Sequence, residues 1–351
     1  MLNSAIDAAW SVGLLESGIK LLVIDTTSET RTRTLVNKYW SRYVRSNASN
    51  SNHRIAFALD GSSASFIFQD AEYRERFAEV ARVSSAVILG RATPLQKAQM
   101  AQFISLCFPN RPVTLAIGDG ANDAAMLQEA DIGIAVYDKR AEEAVRFSDF
   151  AIPEFRYLEQ LLLVHGHWNY RRNAIVMLYS CYKNIANVAI LFFFAGPSMF
   201  SAMNIYPSLL SSGWNIAFTS FPVILFGIFD MDLPAKWLLG FPETYQTGQR
   251  DEEMTTFAMS TWISSAIGHA IIVYMMVQYG FGYALDASGY PTDLNQLGTL
   301  MNGVILMVVS LRLLAESKNI TLWNVGSIAL SVLLWFIVVI ITTDIGPLFS
   351  Q

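Results

Sequence analysis

The stretch VTLAIGDGANDAAMLQEADIGIAV, Val113 to Val136, decides the fold. An apolar run ends at Gly118 and the turn Asp119-Gly120-Ala121-Asn122-Asp123 follows. Ala124, Met126, Leu127 and Ala130 then recur at helical spacing before a second apolar run, Ile132 to Val136. Such a pattern reads as strand, turn, helix and strand. It puts two carboxylates at the C-terminal end of a strand, the edge where open α/β sheets bind ligands and where the N–H groups of a starting helix favour anions. Carboxylates four residues apart on a tight turn suit one hard cation, and Mg²⁺ is commonly held by one or two carboxylates plus phosphate oxygens. The residues therefore point to Mg²⁺-assisted phosphoryl transfer. The competing reading makes Gly118 and Gly120 a plain turn and leaves Asp119 and Asp123 solvated or capping the helix.

Working outward toward the N-terminus, helices and strands alternate. Ser4–Gly18 and Ser28–Val44 read as helices and Ile19–Asp25 as a strand. Ser46–Arg54 is a polar loop of turn formers that carries the acceptor pattern Asn47-Ala48-Ser49. Arg54–Gly61 and Ala64–Phe68 read as two short strands of a hairpin, Ala71–Val83 as a helix and Ala86–Gly90 as a strand. Pro94 then opens a helix with Lys97 in its first turns. Alternating strands and helices indicate a parallel sheet, so Arg91 and Lys97 are expected at the same sheet edge as Asp119.

Beyond Arg172 the composition changes. Of the 24 Lys and Arg, 18 precede it and five follow, and long apolar runs dominate the remainder of the chain. Five segments approach the roughly 20 residues that cross hydrocarbon: 173–196, 209–229, 261–283, 297–315 and 322–342. Arg171 and Arg172 precede the first, Lys236 and Arg250 lie between the second and third, and Arg312 and Lys318 flank the fourth-to-fifth turn. The alternate loops, Pro197–Ser208 and Ala284–Gln296, hold no Lys or Arg. The positive-inside rule then makes the chain an integral, multi-pass membrane protein whose soluble part is cytosolic. Trp214, Trp262, Trp323 and Trp335 are expected as interface anchors, with core packing nearly as good a reading for Trp335.

The net charge of −5 gives no basic footprint, so no nucleic-acid partner is expected. Cys107 and Cys181 are too few and too far apart for a disulfide framework. Asp7 and Glu16, with no basic region ahead of an apolar stretch, argue against a signal peptide. Lys183 falls about 17 Å beyond Arg172 at helical rise, near mid-membrane, where an ionisable residue is a functional candidate. Asn187, one turn on, extends its polar face or bonds a neighbouring helix. Pro222 can break the second span and free backbone groups for a polar ligand, or simply kink it. Asp230 and Asp232 stand only at the end of that span, and the other spans have no Asp or Glu inside them. A cation is thus a poorer cargo than a zwitterionic or anionic lipid.

GRATPLQKAQM (Gly90–Met100) together with GDGAND (Gly118–Asp123) resembles the phosphorylation domain of P-type ATPases, built on the haloacid dehalogenase fold. Phe150–Asn184 and GIFDMDLPAKWL (Gly227–Leu238) resemble the type IV class, the phospholipid flippases. The resemblance implies an α/β haloacid dehalogenase-like, Rossmann-like partial domain over 1–165, followed by an all-α transmembrane bundle of five helices over 166–351. It implies ATP as substrate, Mg²⁺ held by Asp119 and Asp123, Arg91 on the nucleotide, Lys97 neutralising the phosphoryl group and Asn122 orienting it. Lys183 and Asn184 would belong to the path of a phospholipid headgroup, and a small accessory subunit is a possible partner. The family's phosphoryl acceptor lies in Asp-Lys-Thr-Gly-Thr, which this sequence does not contain. By resemblance it belongs upstream, with the nucleotide-binding and actuator domains and four spans, and a tenth span is also wanting. The family's Thr-Gly-Asp signature before a Glu-Thr pair is altered here: Ile24-Asp25-Thr26-Thr27-Ser28 precedes Glu29-Thr30, and Asp25 or Thr26 is a candidate substitute. The alternative function is a degenerate, non-catalytic module of the same family with a regulatory or interaction role.

Overall fold

A computed structural model describes residues 2–45, 54–108, 112–137, 142–283, 289 and 292–349; the acceptor pattern at Asn47 lies outside them. The chain divides into two compact units, Met1–Leu158 and Glu159–Gln351.

In the first unit α1 (Leu2–Ser11), β1 (Lys20–Ile24), α2 (Glu29–Trp40), β2 (Ile55–Asp60), α3 (Gly61–Gln69), α4 (Ala71–Arg82) and β3 (Ala86–Gly90) form a parallel sheet ordered β1-β2-β3 with its covering helices. All six residues of β2 are buried, as in a strand covered on both faces, and its register pairs Leu22 with Phe57 and Phe57 with Val87. Phe57, Phe77 and Phe103 pack edge-on and stacked at the centre of the core. A second parallel sheet, ordered β4-β5-β6, is built from β4 (Leu115–Gly118), β5 (Ile132–Val136) and β6 (Phe150–Ile152), with α6 (Ala124–Glu129) and α7 (Glu142–Arg146) as crossovers. Between the sheets runs α5 (Pro94–Cys107), started by a capping box in which Thr93 and Gln96 satisfy each other's backbone N–H. A cavity of about 720 Å³ lies beneath α5, lined at one side by Leu89 of β3 and at the other by Leu115, Ala116 and Ile117 of β4.

The hairpin expected over Arg54–Phe68 does not exist. Only Ile55–Asp60 is a strand, and Ala64–Phe68 lies inside α3. Asp60 caps that helix through the Ser62 N–H, and Gly61, Ala64 and Ile67 fall three apart on its buried face. The β-branched and aromatic content of the segment favours a strand locally, but a cap plus a helical burial period overrides it.

Among the described residues five helices are long and apolar enough to cross a membrane, the first beginning two residues before the second unit and the rest within it: Tyr157–Ala195, Ser208–Phe229, Thr256–Phe281, Leu294–Glu316 and Leu322–Thr342. These are the five expected segments, with the first starting sixteen residues earlier. Tyr179, Tyr182, Trp214, Phe218 and Phe226 are among the largest side chains of the shared core. Trp214 and Trp262 are therefore core residues, not interface anchors, and the Trp335 indole donates to Asn302 Oδ1 at 2.9 Å. Trp323 alone of the four is largely exposed. The second span is broken as Pro222 suggested: an α-turn to Gly213, a π-helical turn over Trp214–Phe218, then α-helix again from Ser220. At the start of the fourth span Gly298 is required, because a Cβ there would collide with the Ile205 carbonyl.

Candidate functional site

In the first unit the strand β4 ends at Gly118, and the backbone turns through Asp119 and a 3₁₀ turn, Ala121–Asp123, into α6. A Cβ on Gly118 would run into the Asp123 side chain, so the glycine lets that carboxylate fold back under the strand end. Asp123 is buried. Its Oδ1 accepts from Lys97 Nζ at 2.8 Å and its Oδ2 accepts from the Asp119 N–H at 3.3 Å. The structure thus brings together Lys97 from the first turn of α5 and both aspartates of the turn. The Asp119 and Asn122 side chains are exposed beside them. Lys97 and Asp123 also line the cavity beneath α5, so this ion pair looks into the space between the two sheets.

Arg91 is placed differently. It has a left-handed backbone, φ 53°, and its Nε lies 3.3 Å from Asp60 Oδ1, at the ends of β2 and β3. No contact joins it to Lys97 or to the aspartates among the described residues. Thr26, offered as a substitute for the altered signature, is engaged structurally: its hydroxyl lies 2.6 Å from that of Thr32, and its N–H donates to Ser63 Oγ at 3.0 Å.

For Mg²⁺, the donors present are hard oxygens. Asp119 offers an exposed carboxylate, whereas both oxygens of Asp123 already accept. Among the described residues no cluster of three or more His, Cys, Asp or Glu exists. The set fits an ion that keeps water and phosphate ligands and asks for one or two carboxylates from the protein. Asp119 is the ligand ready as it stands. Asp123 holds Lys97 beside it.

In the second unit Lys183 is 6% exposed, and its ammonium donates to Asn215 Oδ1 at 2.6 Å and to Thr219 Oγ1 at 2.7 Å. Thr219 Oγ1 in turn donates to the Trp214 carbonyl at 2.6 Å. Asn215 lies on the π-helical turn and Thr219 at its end, so the break in the second span supplies the acceptors for the lysine of the first. The ion pairs of this unit belong to His167, Arg171, Arg250 and Arg312; none includes Lys183 among the described residues. Asn184 is half-buried next to it, and Asn187 is buried with its Oδ1 unpartnered. Asn215 and Thr219 escaped the sequence reading. The available signal was an Asn and a Thr within seven residues before a proline in an apolar run.

Near the Arg171 end of the bundle Asp230 is buried beyond solvent. Its Oδ2 accepts from Arg171 at 2.8 Å and its Oδ1 from the N–H groups of Lys318 and Asn319 at 2.9 and 3.1 Å. His167 Nε2 lies 2.8 Å from Asp232 Oδ2.

Residues 145–351 match the family described as phospholipid-translocating P-type ATPase C-terminal, and residues 92–147 match haloacid dehalogenase-like hydrolase. The first match covers more than half of the chain, which therefore belongs to the phospholipid-transporting, type IV P-type ATPases as a C-terminal portion. Among relatives, the chain is 32% identical over 347 residues to phospholipid-transporting ATPase VD of Mus musculus, with 93% of this chain and 24% of the relative covered. It is 30% identical over 348 residues to phospholipid-transporting ATPase DRS2 of Saccharomyces cerevisiae, covering 98% and 26%. Against probable phospholipid-transporting ATPase 12 of Arabidopsis thaliana the identity is 37% over 285 residues, covering 80% and 24%. The chain spans about a quarter of the length of these relatives.

Proposed function

We propose that this chain supplies part of the phosphorylation domain, about 1–165, and the later spans, about 166–351, of an ATP-driven translocase. The complete enzyme would move phospholipid toward the cytosolic leaflet through an aspartyl-phosphate cycle. The observation that carries the reading is Lys183: a buried cation in a span, held by neutral acceptors from a broken helix, with no carboxylate paired to it among the described residues. A cation site needs anionic oxygens to replace a hydration shell. A buried ammonium with only dipolar partners suits the phosphate of a lipid headgroup instead.

At the other site Lys97 would neutralise charge on the transferred phosphoryl group, Asn122 would orient it, and Arg91 with Asp60 would meet the nucleotide. Mg²⁺, when bound at Asp119 and Asp123, supplies charge neutralisation at the phosphoryl oxygens. The cavity between β3 and β4, lined by Lys97 and Asp123, supports an acceptor aspartate brought beside that pair from elsewhere in the polypeptide. Phosphorylation would change the charge at Lys97, and the helical run from Tyr157 would pass the response to Lys183. The soluble unit would face the cytosol, and a small accessory subunit would be its partner in the membrane.

The test is phosphoenzyme formation from radiolabelled ATP by the full-length protein and its Asp119→Asn variant. Loss of turnover in the variant supports the reading. Lipid-stimulated hydrolysis that is unchanged by Asp119→Asn rejects it, and a wild-type protein that takes up no phosphate puts the non-catalytic, regulatory module in its place.

A further inference from the structure

The first span runs outward from Arg172 for about 35 Å at helical rise before Ala195, and its end is unusual. The Phe200 N–H donates to the Ala195 carbonyl and the Met199 N–H to that of Gly196, each at 2.9 Å. These two bonds are the six-to-one and five-to-two pair of a Schellman cap, with Met199 at the position that must be left-handed and that glycine ordinarily fills. Met199 has φ 52°, Phe200 φ 55° and Ala202 φ 60°, three residues with a Cβ in a conformation disfavoured for all of them. Two of these side chains are not used for packing, with Met199 88% and Phe200 79% exposed, and Met203 next to the turn is 58% exposed. Just beyond, Ile205 and Tyr206 are buried in the bundle, Asn204 Oδ1 accepts from the Tyr206 N–H, and the Tyr206 hydroxyl donates to the Asn187 carbonyl. The turn is therefore pinned at both ends while its tip projects.

We propose that Met199, Phe200 and Met203 insert into the bilayer interface of the leaflet opposite the Arg171 end, as a lipid-facing wedge. Three observations single out phospholipid as the occupant. The exposed apolar stripe of the first span, Val188 and Phe192, continues into Met199 and Phe200, so the tip extends an apolar surface along the span rather than standing alone. Between Gly196 and Gly213 there is no charged residue to desolvate or to steer a protein partner. The N–H groups of Ser198, Met199, Phe200 and Ser201 all bond to carbonyls of residues 194–198, which is what an irregular turn needs where water is scarce. Strained backbone that presents large apolar side chains is explained by what those side chains reach. Insertion holds whether or not Lys183 meets a headgroup.

The experiment places a nitroxide at Met199→Cys and at Phe200→Cys in the full-length protein, native cysteines replaced by serine, in phosphatidylcholine vesicles. A label at Arg31→Cys, exposed in the soluble unit, is the water reference. Collision with oxygen relative to a water-soluble nickel chelate is expected to be several-fold higher at 199 and 200 than at 31. A ratio equal to that at 31 would place the turn in water, and low collision with both reagents would place it under protein; either result overturns the proposal.

Discussion

Asp123 does two jobs with one carboxylate, since one oxygen holds the Lys97 ammonium and the other accepts the Asp119 N–H that closes the turn. Asp123→Asn keeps the shape but removes the charge that fixes Lys97, and removing one preorganised charge at a phosphoryl site costs on the order of 100-fold or more in rate. Phosphoenzyme formation from ATP, followed by rapid quench, is expected to slow by about that factor. Arg91→Ala is expected to raise the KM for ATP and leave the maximal rate nearly unchanged, because Arg91 pairs with Asp60 away from Lys97. The same logic applies to Thr219. Thr219→Val takes one of the two acceptors from the Lys183 ammonium, and an unsatisfied buried polar group costs roughly 1–3 kcal/mol. The thermal midpoint in detergent should fall and more lipid should be needed for half-maximal stimulation of hydrolysis; a variant unchanged in both would show that the hydrogen bond carries nothing. Asp119, Asp123, Lys97 and Lys183 stood out in the sequence because each is a charge at an edge or a depth where a charge is costly. Asn215 and Thr219 did not, since their partner lies 32 and 36 residues away and no local period encodes a contact across two spans.

At the scale of elements, the carboxylate of Asp230 stitches three spans. It receives Arg171 from the first and the N–H groups of Lys318 and Asn319 from the turn between the fourth and fifth, while standing itself at the end of the second. Removing one partner of a buried ion pair leaves an uncompensated charge, at a cost of about 3–5 kcal/mol. Asp230→Ala should therefore lower the thermal midpoint of the purified protein far more than Asp232→Ala, whose carboxylate is less buried; equal effects would contradict the hub. From sequence, Asp230 read only as an acid absent from the span interior, because burial at a helix end is set by the turn that folds over it. Strands β1 to β5 were legible as apolar runs between turns, most plainly β2, whose six residues are all buried. Ala64–Phe68 was misread for the complementary reason: five residues are too short for periodicity to overrule β propensity, and the decisive cap, Asp60, lies outside them.

At the scale of the molecule, two chemistries sit in two units of one chain. One is a cation beside two carboxylates at a strand edge; the other, inside an apolar bundle, is a cation paired with no carboxylate among the described residues. Family membership places the chain among the phospholipid-transporting ATPases, and under the proposed function the second cation is the group that meets what is carried. The most direct measurement is the dephosphorylation rate of the phosphoenzyme in the full-length protein, wild type and Lys183→Ala, with phospholipids of different headgroups or with Na⁺, K⁺ or Ca²⁺ added in turn. Acceleration by phospholipid alone, lost in Lys183→Ala while phosphorylation from ATP persists, is the predicted result. Acceleration by an inorganic cation, or a lipid response that survives Lys183→Ala intact, would contradict the account.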